Sequence, residues 1–340
     1  MKKPLQPSAF SPWPNRVAKL LAVIVFPLIW VGGLVTTSDA GMAVPDWPNT
    51  YNYNMFAYPI RDWFFGPWDL FVEHGHRLLG SLAGIIAIGL CLVTFAFDRR
   101  KSVRWWSVLI LGLVTGQGIL GGQRVTQDAR LLALIHGCLG PAFFATVVAM
   151  IVFTSWWWVR RIGSVVNGKL FSADLERGAA AMLLILSYVQ LIFGASLRHI
   201  AETADPSVYI LLLIAHLTTA LAVWILALVV WYAVRADNWK SGGVRATGRL
   251  LMLLVFGQIG LGVGTYAVKF GWPSWLGNYW FAANYVIHEK TFWQVNLITS
   301  HVAVGSLILA TATYHLARVC RAIRIARKST VELASADRVT

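Results

Sequence analysis

VEHGHRLLGSLAG, residues 72–84, is the stretch whose reading decides the fold. It is apolar enough to open a membrane helix, yet its start carries Glu73, His74, His76 and Arg77. Ionisable groups inside a membrane helix are costly and need partners, so the surrounding sequence has to supply a reason for them. The chain has 340 residues, of which 57% are hydrophobic and 17 are Trp, and its mean hydropathy is +0.61. A soluble core cannot absorb so much apolar surface. Apolar runs of about 20 residues, the length that crosses about 30 Å of hydrocarbon, occur at 17–36, 70–96, 105–123, 131–156, 179–198, 207–233, 249–268 and 292–317. The expected fold is an all-α membrane protein with eight transmembrane helices.

Charge sets the expected orientation. The N-terminus, the 97–104, 157–178 and 234–249 connections and the C-terminal tail hold 22 of the 29 Lys and Arg residues, and these segments alternate with basic-poor ones. By the positive-inside rule both termini are cytoplasmic. The net charge of +14 is thus a topology signal, the bilayer is the partner, and no nucleic acid need be invoked. The first span follows a short basic segment without a small-residue cleavage site, so it reads as a retained helix. No long Arg/Ser-rich transit segment precedes it, which favours a bacterial inner membrane. Cys91, Cys138 and Cys320 lie in spans or at a helix end and imply no disulfide framework.

Recurrence along the chain points to duplication. Spans 3, 5 and 7 contain QGILGG, QLIFGA and QIGLGV, which place Gln117, Gln190 and Gln258 each four residues before Gly121, Gly194 and Gly262. A membrane Gln can simply bond a neighbouring helix while the small residue allows close approach. Each even span carries one histidine of a matched set near its outer side: His76, His136, His216 and His301. Each has a small residue one turn deeper, Gly80, Gly140, Ala220 and Gly305. His76 and His136 lie about six residues into their spans, ~9 Å at 1.5 Å per residue, and His216 and His301 about ten, ~15 Å. Equal depth suggests that His76 faces His136 and His216 faces His301. Facing imidazoles with no bulk beneath them are what a haem ligated on both sides requires. An interhelical hydrogen bond or proton relay is the plainer reading of a single such histidine. Zinc lacks an accompanying cysteine or second carboxylate. His74, His199, His288 and His315 are read as structural.

The two halves differ around the ligand. Glu73 and Arg77 flank His76, whereas Leu213 and Leu217 take those places around His216. One reading is an i,i+4 ion pair at a helix mouth, worth a few tenths of a kcal/mol if wet. The other is a carboxylate on the ligand's own helix face, placed to move a proton or steady positive charge. On the second reading one site does chemistry and the other holds a permanent cofactor. Arg124 and Arg198 close spans 3 and 5 and, with Arg77, are the candidate cofactor contacts; haem propionates want cations, though an arginine at a span end also snorkels. The loop 37–69 is rich in Trp and Tyr, fit to cover an apolar tail, dock a partner or form an interfacial belt.

Taken together, EHGHR at 73–77, LGGQRVTQDARLLALIHG at 120–137, QLIFGASLRH at 190–199, AHL at 215–217 and DAGMAVPDWP at 39–48 resemble the heme A synthase family, over about residues 20 to 317. The resemblance implies two pseudo-symmetric four-helix bundles, residues 1–160 and 161–340. It implies heme O as substrate between His76 and His136 in the first, with Glu73 as the catalytic carboxylate. It implies heme b between His216 and His301 in the second. The implied reaction oxidises a porphyrin ring methyl of heme O to the formyl of heme A for cytochrome oxidase. Implied partners are an electron donor, cytochrome oxidase assembly and the farnesyltransferase that makes heme O. The type is the one without a cysteine pair in the first outer loop, since 37–69 contains no cysteine. The alternative is a diheme bis-histidine cytochrome b that only carries electrons, and Glu73 beside one haem alone argues against it.

Overall fold

The computed structural model describes residues 11–159, 170–201, 203–236, 242–271 and 291–336. His288 and most of the second aromatic outer loop lie outside them. Eight long helices dominate: α1 Trp13–Thr37, α2 Trp68–Phe97, α3 Lys101–Thr126, α4 Arg130–Phe153, α5 Leu170–Arg198, α6 Pro206–Ala236, α7 Gly242–Phe270 and α8 Phe292–Ala336. All eight are long and apolar enough to cross a membrane. The chain is an all-α, multi-pass membrane protein. Among the described residues the only extended pairing is an isolated bridge between Thr50 and Tyr53.

Local sequence explains where the helices begin and end. Pro12 and Pro67 precede α1 and α2, where a missing N–H costs nothing because the first turn has no acceptor for it. The turn after α2 is fixed by arginines. Arg104 donates to the carbonyls of Phe95 (2.8 Å) and Asp98 (2.7 Å), and Arg100 pairs with the Asp98 carboxylate at 2.5 Å. A basic side chain on the last carbonyls closes a helix that has no glycine cap. The final span was expected to stop near residue 317, yet α8 continues to Ala336. Leaving the apolar layer does not unwind a segment rich in Ala, Arg and Ile.

The helices pack in a ring-like order within each half. α1 contacts α2 and α4, and α3 contacts α2 and α4; likewise α5 contacts α6 and α8, and α7 contacts α6 and α8. α1, α4, α5 and α8 meet at the centre. In lipid the contacts rest on close fit rather than on water exclusion, and small residues supply it. Ala18, Ala83, Ala87 and Ala310 sit in one apolar cluster, and Ala179, Ala180, Ala227 and Ala312 in the other. Polar bridges tie the arginine-rich end. In the first half Asn15 of α1 donates to Ile151 O (2.7 Å) and Thr154 Oγ1 (3.2 Å) of α4. In the second, fully buried Glu176 of α5 lies 3.3 Å from His315 Nε2 of α8, whose Nδ1 is 2.8 Å from Thr247 Oγ1 of α7.

Candidate functional site

The opposite end of the molecule holds the four singled-out histidines. His76 of α2 and His136 of α4 have ring centroids 6.4 Å apart with planes inclined at 81°. His216 of α6 and His301 of α8 repeat the distance, 6.4 Å, at 63°. Two metal–imidazole bonds of about 2 Å, with the half-widths of two rings, add up to about 6 Å. Each pair is therefore spaced for one metal ion between its rings. Among the described residues no group of three or more His, Cys, Asp and Glu side chains converges as a metal cage. A pair of nitrogens leaves the remaining coordination positions to the ligand itself, as a porphyrin requires and a zinc site does not.

Each ring is seated on the preceding helix. Gly32, Gly121, Gly194 and Gly262 lie under His76, His136, His216 and His301, so close that an added Cβ would come within 2.8, 3.1, 3.0 and 3.2 Å of the ring Cε1. The recurring glutamines do bond the neighbouring helix. Gln117 Nε2 donates to His136 O (3.3 Å) and Gln258 Nε2 to His301 O (2.8 Å), while Gln190 Nε2 lies 3.1 Å from His216 Nε2. α1 has no glutamine here: Leu28 stands four residues before Gly32. Beyond the histidines, the small residues one turn deeper divide. Side chains added at Gly80 and Gly140 would meet nothing within 4 Å. At Gly305 the space is taken by the amide of Gln258, 3.3 Å from the same construction, so this glycine admits a glutamine rather than clearing a flat ligand.

Glu73 and Arg77 do pair, Oε1 to Nη2 at 2.7 Å, but the mouth is dry: their side chains are 3% and 8% exposed. Neither is idle. The other Glu73 oxygen, Oε2, accepts from the Val44 N–H at 2.9 Å. Arg77 donates to three backbone carbonyls of the first outer loop, Val44 (2.6 Å), Asp46 (2.7 Å) and Asn49 (2.9 Å). The loop is thereby strapped across the end of α2. Asp46 holds its turn, accepting from the N–H groups of Tyr51 (2.9 Å) and Asn52 (2.7 Å), both in the left-handed region. Burial alone would raise the Asp46 carboxyl; those N–H groups, with the Arg77 charge nearby, outweigh it and hold the group below its ordinary value. Trp47 lies flat on Gly122 of α3, where no Cβ fits, and buried His74 meets Thr50 Oγ1 through Nδ1 at 3.0 Å. Asp46, Trp47, Thr50 and Gly32 carry no sequence signal of this role, because the partners are backbone atoms or lie in another helix.

Arg124 and Arg198 do not snorkel outwards. Arg124 reaches Gly41 O at 3.4 Å in the strap. Arg198 crosses from α5 to α1, donating to Gly33 O at 2.7 Å and to Thr37 Oγ1, beside the close crossing of Gly33 with Thr299 of α8. His199 follows at the end of α5 near Gly137 of α4. Burial, with the Arg198 and Arg124 charges, pushes its imidazole down to about 4.

No family model matches the sequence. Curated proteins do. The chain is 31% identical over 119 residues to the heme A synthase of Oceanobacillus iheyensis, covering 34% of this chain and 37% of that protein. It is 24% identical over 370 aligned positions to the heme A synthase of Cereibacter sphaeroides, covering 84% of this chain and 88% of that protein. The chain is similar to these heme A synthases. A shorter match, 25% over 147 residues, covers 41% of this chain and 30% of the protoheme IX farnesyltransferase of Halobacterium salinarum. The first of these matches spans well under half of its relative's length, and the second spans both chains almost throughout. The resemblance read from the motifs stands on these relatives.

Proposed function

We propose that this protein converts heme O to heme A in a bacterial inner membrane, with both termini cytoplasmic and with two four-helix halves, residues 1–160 and 161–340. The observation that carries the reading is the pair of facing imidazoles in each half, equally spaced, in a chain similar to heme A synthases. His76 and His136 hold the substrate haem; His216 and His301 hold a resident heme b. When bound, the haems would supply the redox chemistry by which a ring methyl becomes a formyl group, a four-electron oxidation whose oxygen atom and oxidant come from outside the chain; an electron-transfer partner and cytochrome oxidase assembly are the partners that this reaction calls for. A partner that makes heme O by farnesylation fits as the source of substrate.

The chain's own residues do the rest. Glu73 stands three residues before His76, on the same face of α2. A carboxylate offers about four lone-pair positions, and Arg77 Nη2 and Val44 N occupy one on each oxygen. The remaining positions take a proton at Oε2 during oxidation, while Arg77 keeps the group oriented. The strap excludes water from this end of the half, which strengthens the charge interaction. Arg77, Arg124 and Arg198 would supply the cations for the anionic propionates.

The test begins by extracting haem from purified protein and identifying it by chromatography. Heme b together with heme O or heme A is expected; heme b alone at two per chain would favour an electron carrier. Glu73→Gln is then expected to retain bound haem and to abolish heme A formation. Normal heme A output from that variant would remove Glu73 from the chemistry.

A further inference from the structure

Two observations at each histidine concern the glycine beneath it. The first is distance. A methyl group at Gly32, Gly121, Gly194 or Gly262 would stand 2.8–3.2 Å from an imidazole carbon, whereas one at Gly112 or Gly257, in α3 and α7, would meet nothing within 4 Å. The close approach to one of the four imidazoles belongs to these positions; other glycines of the same helices meet different groups, Thr299 at Gly33, Trp47 at Gly122 and Leu297 at Gly264, or nothing. The second is an enclosed nitrogen. Nδ1 of His76, His136, His216 and His301 is buried without a hydrogen-bond partner among the described residues. That nitrogen is also the ring atom next nearest to the open position of the glycine, at 3.4, 3.5, 3.5 and 3.8 Å in the same order, and the helix carbonyl four residues before that glycine is the one at Leu28, Gln117, Gln190 and Gln258. In a helix that carbonyl already accepts from the glycine N–H, and it has a second lone pair. Only where residue i+4 lacks a Cβ can a ring from the next helix approach that lone pair.

His216 shows which nitrogen is left for a ligand. Gln190 Oε1 lies on the Thr219 hydroxyl and the Gln190 amide nitrogen lies 3.1 Å from His216 Nε2, so in this amide orientation the nitrogen is the donor and Nε2 the acceptor. Nε2 is then the lone-pair nitrogen and Nδ1 bears the hydrogen, the tautomer being assigned from the network. Ligation through Nε2 displaces the Gln190 amide.

We propose that Gly32, Gly121, Gly194 and Gly262 are positioning residues, each the floor on which one histidine rests with Nδ1–H towards the helix carbonyl and Nε2 presented to the iron. The proposal rests on the haem reading and adds which atom binds and what fixes it. Outer-shell contacts of this kind typically govern about 10–100-fold in metal affinity. Each seat serves one ring, so each glycine controls one half.

The experiment titrates heme b into the detergent-purified full chain and reads low-spin absorbance and electron paramagnetic resonance, with His→Ala variants assigning each signal to a half. Gly194→Ala and Gly262→Ala are expected to weaken the His216/His301 signal about 10–100-fold and to spare the other. Gly32→Ala and Gly121→Ala should do the reverse, Gly32→Ala most severely because its approach is shortest. Gly112→Ala and Gly257→Ala should behave as the unaltered protein. Wild-type affinity in all four seat variants, or loss of both signals together in any one of them, would overturn the seating role. Absence of low-spin haem in the unaltered protein would instead overturn the haem reading beneath it.

Discussion

The two halves share a scaffold and differ in what covers it. In both, a ring resting on a glycine faces another at 6.4 Å. Around His76 the neighbouring positions carry Glu73 and Arg77, both enclosed and bound to the strap. Around His216 the corresponding Leu217 is 59% exposed and faces outwards. Two histidine pairs can therefore keep one spacing while ionisable groups stand beside only one of them.

The comparison breaks most visibly at position 77. Arg77→Leu gives the first half the leucine of the second, and leaves Glu73 buried without its cation and three carbonyls without a donor. Loss of one partner of a buried pair costs about 3–5 kcal/mol, so a clear fall in the melting temperature of detergent-solubilised protein is expected. A change no larger than that of a surface substitution would show that the strap is loose in solution.

The arginine-rich end sharpens the contrast at smaller scale. His315→Leu strands the carboxyl of Glu176, at about 1–3 kcal/mol. Asn15→Ala removes a donor to a carbonyl and a hydroxyl and should cost about 0.5–1.5 kcal/mol. Thermal unfolding of the two variants side by side checks the order; a larger loss for Asn15→Ala would place the weight of the fold in the first half.

A third difference appears on titration. His199, with its folded-state value lowered to about 4 against about 6.5 unfolded, favours the neutral form when folded. Its contribution is complete above pH 6.5 and is lost as the pH falls through 4. His199→Gln should flatten the acid limb of a stability–pH curve between those values, and an unchanged limb would exclude this histidine as its source. Least of all, Leu217→Ala should stay within about 0.5 kcal/mol; a greater loss would mean that this face of α6 is covered by something other than lipid.

Eight helices were legible because apolar runs of membrane length have one structural solution. The four histidines were legible because one of a matched set stands near the outer side of each even helix. Their seats were not. Three of the four glycines could be seen as a repeat with glutamine, but Gly32 is hidden by Leu28, and nothing local says that a ring from the next helix rests there. Glu73–Arg77 was readable as an i,i+4 pair, its dryness was not, because the cover comes from a loop whose turn needs left-handed Tyr51 and Asn52. Gly305 misled in the same way: a small residue announces close approach without naming what approaches.

The strap also has a signature in time. Val44 sits in an irregular segment, where amide hydrogens ordinarily exchange with solvent at once, yet it is 0% exposed and its N–H is committed to Glu73. That hydrogen cannot meet water until the carboxylate lets go, and the carboxylate is held by the same guanidinium that grips three loop carbonyls. Exchange at Val44 thus reports a single cooperative opening of the whole strap, with protection like that of a helix interior.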